Sequence, residues 1–129
     1  SLPEGERSWL GGLRDPVVGR ALMLMHSRID HPWTTSDLAR EVAMSRSAFA
    51  ERFTSVIGTP PMSYLASWRM QVAAQRLREC RRSVAQVAAE VGYESEAAFI
   101  RAFQREMGVS PARWRRGESE RDAEPALAS

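Results

Sequence analysis

Lysine is missing from this sequence, cysteine occurs once, and no long apolar run is present. Because Cys80 is alone, no disulfide bond can form within the chain, which is typical of proteins from a reducing compartment. A membrane-spanning helix would need about 18 consecutive apolar residues, and no such run occurs. The first residues also lack the basic start and apolar segment of a signal peptide. These absences favour a cytoplasmic protein.

Patterns that bind metals or carry catalysis are equally scarce. His26 and His31 have no partner at metal-ligand spacing, and no cysteine cluster accompanies them. The sequence contains neither a glycine-rich phosphate loop nor the tight turn that presents a nucleophilic serine. It therefore predicts neither an enzyme nor a resident cofactor or metal, and a fragment of an enzyme is the weakest alternative.

The basic residues are all arginine, 18 in number against 16 acidic residues. Residues 14–116 contain 16 arginines and 10 acidic residues, so the middle of the chain carries +6 while both ends are acidic. Arginine donates planar, paired hydrogen bonds that suit guanine and phosphate. This distribution favours a nucleic-acid partner, although genome composition alone can also enrich arginine.

A repeat with an offset of 50 positions dominates the rest of the chain. Its first copy centres on the segment SRSAFAERFTSVI and its second on SEAAFIRAFQREM. The residues that recur are Phe49, Phe53, Gly58, Pro61 and Tyr64, matched by Phe99, Phe103, Gly108, Pro111 and Trp114. Five matches at one offset are hard to obtain by chance, so we expect two structurally similar units.

Apolar spacing and capping residues predict an all-α fold of about seven helices without strands. The predicted helices cover residues 16–28, 36–42, 46–57, 61–81, 84–91, 96–107 and 111–116. The predicted organisation is an arm (1–14), a first unit (15–60), a linker helix (61–82), a second unit (83–116) and a disordered tail (117–129). The residues expected to be buried on the linker helix are Leu65, Trp68, Val72, Ala73 and Leu77.

Each unit has a short helix, a tight turn and a longer helix, which is the pattern of a helix-turn-helix. Ala39 and Ala88 supply the small residue needed where the two helices cross, and their offset of 49 leaves one extra residue in the second turn. Two such units on a rigid helix would present recognition helices about 34 Å apart, one turn of DNA. We therefore expect one chain to contact two successive major-groove segments of duplex DNA.

The second unit also carries a longer motif, which the first unit and the linker helix YLASWRMQVAAQRL support. Its residues are Ala88, Gly92, Tyr93, Ser95, Phe99, Arg101, Phe103, Gln104, Gly108, Ser110 and Pro111. With this motif, residues 20–116 resemble the DNA-binding domain of the AraC/XylS family, over about three quarters of the chain.

The resemblance implies a bacterial, sequence-specific transcription regulator, usually an activator that works beside RNA polymerase. It also implies a separate sensing or dimerisation domain, commonly N-terminal. The amino-acid sequence of the motifs is most similar to that of members with a cupin-like sensor. Residues 1–14 would then be the end of the linker between the two domains.

The sixth helix is expected to bury Phe99 and Phe103, so its opposite face would meet DNA. That outward face consists of Glu96, Ala97, Ile100, Arg101 and Gln104. Arg101 matches the outward basic position of the family, and we predict that it contacts guanine through two hydrogen bonds. The alternatives are a phosphate contact or an ion pair with Glu94 or Glu106.

Three neighbours of Arg101 complete the predicted base contacts of this helix. Gln104 suits adenine and phosphate equally well. Glu96 either accepts a hydrogen bond from cytosine or only interacts favourably with the helix dipole. Ala97 lies on the same outward face.

The third helix departs from the family pattern. A basic residue is common where Glu51 stands, while Arg52 follows one position later and is turned by roughly 100°. Glu51 would therefore contact cytosine, or the first unit would bind mostly through the DNA backbone and its shape. Arg46 and Ser47 are the other base contacts predicted here, and Ala50 could meet a thymine methyl group.

Phosphate contacts are predicted from two sets of residues. Helix N-termini attract phosphate, and the serines there are Ser36, Ser45, Ser83 and Ser95. Capping of the helices explains these serines equally well. The arginines predicted to contact phosphate are Arg69, Arg76, Arg113, Arg115 and Arg116, with a solvated surface as the default for each.

The main alternative function is an all-α protein-interaction module. A helix-rich chain of modest net charge would suffice for such a module, but it would not need an outward polar face repeated after each tight turn. The repeat therefore favours DNA binding.

Overall fold

The computed structural model describes residues 14–79 and 81–117. The predicted arm and tail lie outside these residues except at their inner ends, and so does Cys80. In the described part every regular element is a helix, in agreement with the predicted all-α class. The helices are α1 (Pro16–Ser27), α2 (Thr35–Glu41), α3 (Arg46–Ile57), α4 (Pro61–Glu79), α5 (Val84–Glu90), α6 (Glu96–Met107) and α7 (Pro111–Arg115).

Helices α3 and α6 have the predicted bounds, and each of the other helices differs from its predicted bounds by one or two residues at an end. Helix α1 stops at Ser27, one residue before the predicted end. Helix α2 begins one residue early, because the side chain of Thr34 caps it in a reciprocal arrangement with Asp37. None of the helices in the described part of the chain is long and apolar enough to cross a membrane.

The chain forms two compact units, of which the first ends at Ala66 and the second begins at Ser67. The boundary therefore falls inside α4 and not at the ends of a separate linker. The core of the first unit is formed by Val18, Ala21, Leu22, Met25, Trp33, Leu38, Ala39, Phe49, Phe53, Ile57 and Leu65. The buried residues of the second unit are Met70, Ala73, Ala74, Leu77, Val87, Ala88, Val91, Phe99, Ala102, Phe103 and Val109.

Helix α4 corrects the predicted buried stripe. Trp68 and Val72 are only half-buried, while Met70 and Ala74, which were not predicted, are buried. Within the second unit the buried positions are Met70, Ala73, Ala74 and Leu77. Their spacing of i, i+3, i+4 and i+7 defines one apolar face of a helix.

The same spacing occurs on α1, where Val18, Ala21, Leu22 and Met25 are buried. The two sets match residue for residue at a single constant offset. The repeat thus includes a bracing helix in each unit, α1 in the first and α4 in the second, in addition to the helix pair that the sequence predicted.

Aromatic rings link the longer helix of each unit to the segment that follows it. In the first unit Phe53 packs against Phe49 at 5.8 Å and against Tyr64 at 5.8 Å, measured between ring centroids. In the second unit Phe99 and Phe103 pack at 5.7 Å. Trp114 lies 6.1 Å from Phe103 at a steep angle. The predicted correspondence of these residues is confirmed in three dimensions.

The closing aromatic residues find different polar partners on the two bracing helices. The hydroxyl of Tyr64 lies 2.7 Å from Nε2 of His26 on α1. The indole N–H of Trp114 donates to the carbonyl of Ala74 at 2.8 Å, and the Arg78 guanidinium lies 3.7 Å above its ring. Burial of a polar group without a hydrogen-bond partner costs free energy, and each of these partners avoids that cost.

Candidate nucleic-acid interface

The first helix-turn-helix comprises α2, the four residues 42–45 and α3. Ala39 is buried at the helix crossing, and its carbonyl accepts a hydrogen bond from the Met44 N–H at 2.9 Å. Between them Ala43 has a φ of +57°, the left-handed conformation that side chains other than glycine rarely adopt. The turn is therefore tight and carries backbone strain at Ala43.

The second helix-turn-helix, α5 to α6, repeats this geometry with one difference. Ala88 is buried, its carbonyl accepts from the Tyr93 N–H at 2.9 Å, and Gly92 has a φ of +94°. Gly92 thus stands where the first unit has Ala43. The predicted extra residue is Glu94, which lies between this hydrogen-bonded turn and the N-cap of α6.

Serine hydroxyls cap the N-termini of three of these helices. Ser45 accepts from the Ala48 N–H at 3.2 Å, and Ser95 accepts from the Ala98 N–H at 3.1 Å. Ser83 caps α5 by a reciprocal pair of bonds with Gln86. A serine that accepts through its oxygen still has its own O–H to donate. Capping and a phosphate contact are therefore compatible at these positions, whereas Ser36 lies exposed in the first turn of α2 without being its cap.

Helix α6 separates a buried face from an exposed polar face. Phe99, Ala102 and Phe103 are buried on one side. On the other side Glu96, Ala97, Arg101 and Gln104 are exposed, and Ile100 is half-buried. Positions 97, 101 and 104 follow the i, i+4, i+7 spacing, so their side chains form one stripe.

Arg101 lies at the centre of this exposed stripe. In the part of the chain that the structure describes, no hydrogen bond or ion pair engages its guanidinium. Glu106, one of the two predicted ion-pair partners, instead accepts a hydrogen bond from the Ser67 hydroxyl at 3.1 Å. The donor fork of Arg101 therefore faces solvent with its full capacity to bind a ligand.

Helix α3 presents a different stripe. Arg46, Ser47, Glu51 and Thr54 are exposed, and Ala50 is half-buried. Glu51 occupies the place that Arg101 has on α6, so the centre of this stripe is acidic. Arg46 lies at the first helical position, where the helix dipole disfavours a positive charge.

Arg52, the basic residue beside Glu51, is held away from the stripe. Its Nε donates to the Asp15 carboxylate at 3.0 Å. Asp15 also caps α1 by accepting from the N–H groups of Val17 and Val18. Burial raises the pKa of Asp15, but the hydrogen bonds from Arg52 and the two N–H groups outweigh this effect, so the pKa lies below its ordinary value.

The arginines predicted to contact phosphate occupy unequal environments. Arg113 and Arg116 are exposed on or beside α7. Arg115 is half-buried, and its guanidinium donates to the carbonyl of Arg82. Arg69 is half-buried, with its guanidinium against Gly92. These last two side chains serve contacts inside the second unit.

Arg76 is also committed to a neighbour within the fold. It donates to Glu90 at 2.9 Å, and Arg82 donates to the other oxygen of the same carboxylate at 2.9 Å. Sequence patterns gave no signal for this pairing, because its members lie on α4, on α5 and in the segment between them.

Arg105 is an exposed cation that the sequence interpretation left out. It follows Arg101 by four positions, and this spacing was the signal that could have identified it. No group of three His, Cys, Asp or Glu residues that could hold a metal ion occurs among the described residues.

Comparison with known proteins identifies relatives. A family model described as a helix-turn-helix domain matches residues 38–117. An AraC-like transcription regulator of Streptomyces antibioticus is 42% identical over 114 residues, which are 88% of this chain and 38% of that protein. The HTH-type transcriptional regulator AlkR of Acinetobacter baylyi is 39% identical over 84% of this chain and 36% of its own length. The chain thus spans less than two fifths of the length of these curated relatives.

A solved structure matches the fold closely. The DNA-binding domain of AdpA, a global transcriptional factor crystallised in complex with a target DNA, has a TM-score of 0.75 and 30% identity to this chain. The match covers 86% of this chain and 97% of that one. The family model, the curated relatives and this structure agree with the motif in the second unit, so the chain belongs to the AraC/XylS family of helix-turn-helix DNA-binding domains, which regulate transcription.

Proposed function

We propose that this domain binds one asymmetric duplex DNA site, with α3 and α6 in two successive segments of the major groove. The observation that carries the proposal is the repeated unit, in which each longer helix buries its phenylalanines and exposes a polar stripe. A bracing helix, a capped turn and an exposed second helix are the parts that a helix-turn-helix uses to enter a groove.

The two stripes differ in charge, so we assign them different tasks. Helix α6 would provide base specificity through Arg101, which suits guanine, and Gln104, which suits adenine. Helix α3 would dock in the groove with Arg46 and Ser47 as base contacts. Glu51 would accept from a cytosine amino group and would disfavour phosphate nearby.

Phosphate contacts in this proposal come from the edges of the helices. The free O–H donors of Ser45, Ser83 and Ser95, together with exposed Ser36 and Arg113, are placed at N-termini or on exposed surfaces. Such contacts fix the position of the protein on DNA without selecting sequence.

The complete regulator would have further partners. Because the curated relatives are much longer than this chain, we propose that a sensing or dimerisation domain accompanies it, of the cupin-like type that the motifs favour. We also propose that the assembled protein acts on transcription beside RNA polymerase.

Selection of bound sites from random duplex DNA tests the proposal directly. Recovery of one motif that spans two groove segments about one helical turn apart would support it. Recovery of no motif would favour the protein-interaction alternative.

The contact of Arg101 is tested on the selected site. Arg101→Ala should weaken binding by about 1–3 kcal/mol and relax preference at one base pair. Arg20→Ala is the matched control, because it removes an equal charge from an exposed position on α1 outside both helix-turn-helix pairs. Equal losses for the two variants on all sequences would contradict a base contact.

A further inference from the structure

The guanidinium of Arg69 lies directly against the backbone of Gly92. A Cβ atom added to Gly92 would come within 2.9 Å of Nη2, 3.0 Å of Cζ and 3.1 Å of Nε. These three atoms belong to one planar group and lie at nearly equal distances from the added Cβ. The flat face of the guanidinium, and not its edge, is therefore turned toward Gly92. Glycine is therefore required at position 92 for two reasons. Its φ is +94°, and the guanidinium occupies the space that a Cβ atom would need.

Neighbouring contacts connect the same part of α4 to α6. The Ser67 hydroxyl donates to Glu106 near the end of α6 at 3.1 Å. The Tyr93 ring, which follows Gly92, packs edge-on against Phe99 at 5.6 Å. Burial raises the pKa of Tyr93, and the positive charges of Arg69 and Arg105 partly offset this increase. Arg69 thus contacts the turn that directly precedes α6.

Among the described residues, the first unit does not repeat this pair at the equivalent positions. When the buried stripes of α1 and α4 are aligned, Val17 takes the place of Arg69, and Ala43 takes the place of Gly92. Both replacements are apolar. At these aligned positions a planar cation beside the turn therefore occurs only in the unit whose longer helix carries Arg101.

We propose that Arg69 is a positioning residue for DNA recognition, which holds the Gly92–Tyr93 turn against α4 and thereby fixes the orientation of α6. This inference rests on the proposed function and replaces the predicted phosphate contact of Arg69. The flat face of the guanidinium lies against Gly92 inside the second unit, and α6 acquires its orientation from that packing.

Substitution of Arg69 by lysine separates the two roles. Lysine keeps the charge and can replace arginine at a phosphate, but it lacks the planar group. Under our proposal Arg69→Lys and Arg69→Gln both weaken binding to the selected site by about tenfold or more, the scale of one lost base contact. Binding to a scrambled duplex of the same composition should stay within about twofold.

The salt dependence of binding distinguishes a phosphate contact of Arg69 from the proposed positioning role. A phosphate contact would be rescued by Arg69→Lys, and Arg69→Gln would reduce the slope of log K against log salt by about 0.9. Equal losses on selected and scrambled DNA together with that reduced slope would overturn the proposal. Failure of the unaltered chain to select any site would instead refute the proposed function.

A second measurement needs no DNA. Gly92→Ala should lower the melting temperature less in the Arg69→Gln background than in the unaltered chain, because the steric conflict disappears while the backbone strain remains. Gly58→Ala is the matched control, since Gly58 has a φ of +100° and nothing within 4 Å of the added Cβ. Its effect should be the same in both backgrounds. Strict additivity of Arg69→Gln and Gly92→Ala would contradict the packing on which the proposal depends.

Discussion

The residue type at the left-handed position of each turn determines the backbone strain at that position. Ala43 and Gly92 hold equivalent left-handed positions, but only glycine adopts that conformation without a steric penalty. We predict that Ala43→Gly raises the free energy of unfolding by up to about 1 kcal/mol, because relief of strain exceeds the added entropy of the unfolded chain. Urea denaturation at constant m-value measures the change.

The control for this prediction is an alanine in ordinary helical conformation. Ala66 is exposed in the interior of α4, and Ala66→Gly should lower stability by about 0.5–1 kcal/mol. Opposite signs for the two alanine-to-glycine changes are expected. A loss of stability for Ala43→Gly would show that the turn gains more from the methyl group than the backbone loses.

His26 gives the first unit a defined response to acid. Burial lowers its pKa below 6.5, so the unfolded chain binds the proton more readily than the folded one. Stability from this group is complete above pH 6.5 and is lost as the pH falls through the folded pKa. Burial raises the pKa of Tyr64 to about 12, so its hydroxyl stays neutral throughout that range.

Thermal melting between pH 7.5 and 5 tests this response. The unaltered chain should lose stability below pH 6.5, and His26→Gln should flatten that part of the profile. Asp15, whose pKa lies below its ordinary value of 3.8, loses its contribution only in stronger acid. An undiminished loss between pH 6.5 and 5 in His26→Gln would contradict the assignment to His26.

Among whole elements, α3 and α6 offer the most direct comparison. Glu51 stands where α6 has Arg101, and Arg52 is bound to Asp15. We predict that Glu51→Arg strengthens binding to scrambled duplex DNA and steepens its salt slope by about 0.9, because an acidic group near phosphate becomes a basic one. Arg52→Gln serves as the control and should leave that slope nearly unchanged. No gain from Glu51→Arg would indicate that α3 stays outside the groove.

The sequence predicted most elements because their ends are marked by local chemistry. Serine caps, the glycines after α3 and α6, and the paired phenylalanines each act within a few residues, so a periodic pattern reveals them. Helix α4 was predicted less well. One apolar period was assumed along its length, whereas Leu65 belongs to the core of the first unit and Met70 to that of the second.

The candidate site was also predicted only in part. Outward positions on α6 followed from the helical period, and the structure finds Arg101 and Gln104 exposed as predicted. The partners of Arg52, Arg69 and Arg115 could not be predicted, because each depends on a residue brought near by folding and not by sequence spacing. Whether the exposed residues touch bases or phosphates stays a prediction.

For the molecule as a whole, the charge distribution sets the salt dependence of binding. If about 5–8 phosphates are contacted, the slope of log K against log salt should be roughly −4 to −7 on duplex DNA. Titration of a labelled duplex at several salt concentrations measures this slope. A flat response would favour a protein partner over DNA.

The division into two units predicts local effects of core mutations. Phe53→Ala and Phe103→Ala each remove a fully buried ring and should cost about 3–5 kcal/mol. Amide hydrogen exchange should show lost protection mainly in the unit that carries the change. Equal loss throughout the chain would indicate that the units unfold together. An unchanged melting temperature would contradict the core position of either ring.

The ion pair between Asp15 and Arg52 has an evolutionary consequence. Asparagine caps helices as well as aspartate does, so Asp15→Asn would preserve α1 while releasing the arginine from its charged partner. A single substitution outside the recognition helices would then remove the charged partner of Arg52. Evolution can thus change the net charge of the first unit at a structural cap, without alteration of any residue on the exposed stripe of α3.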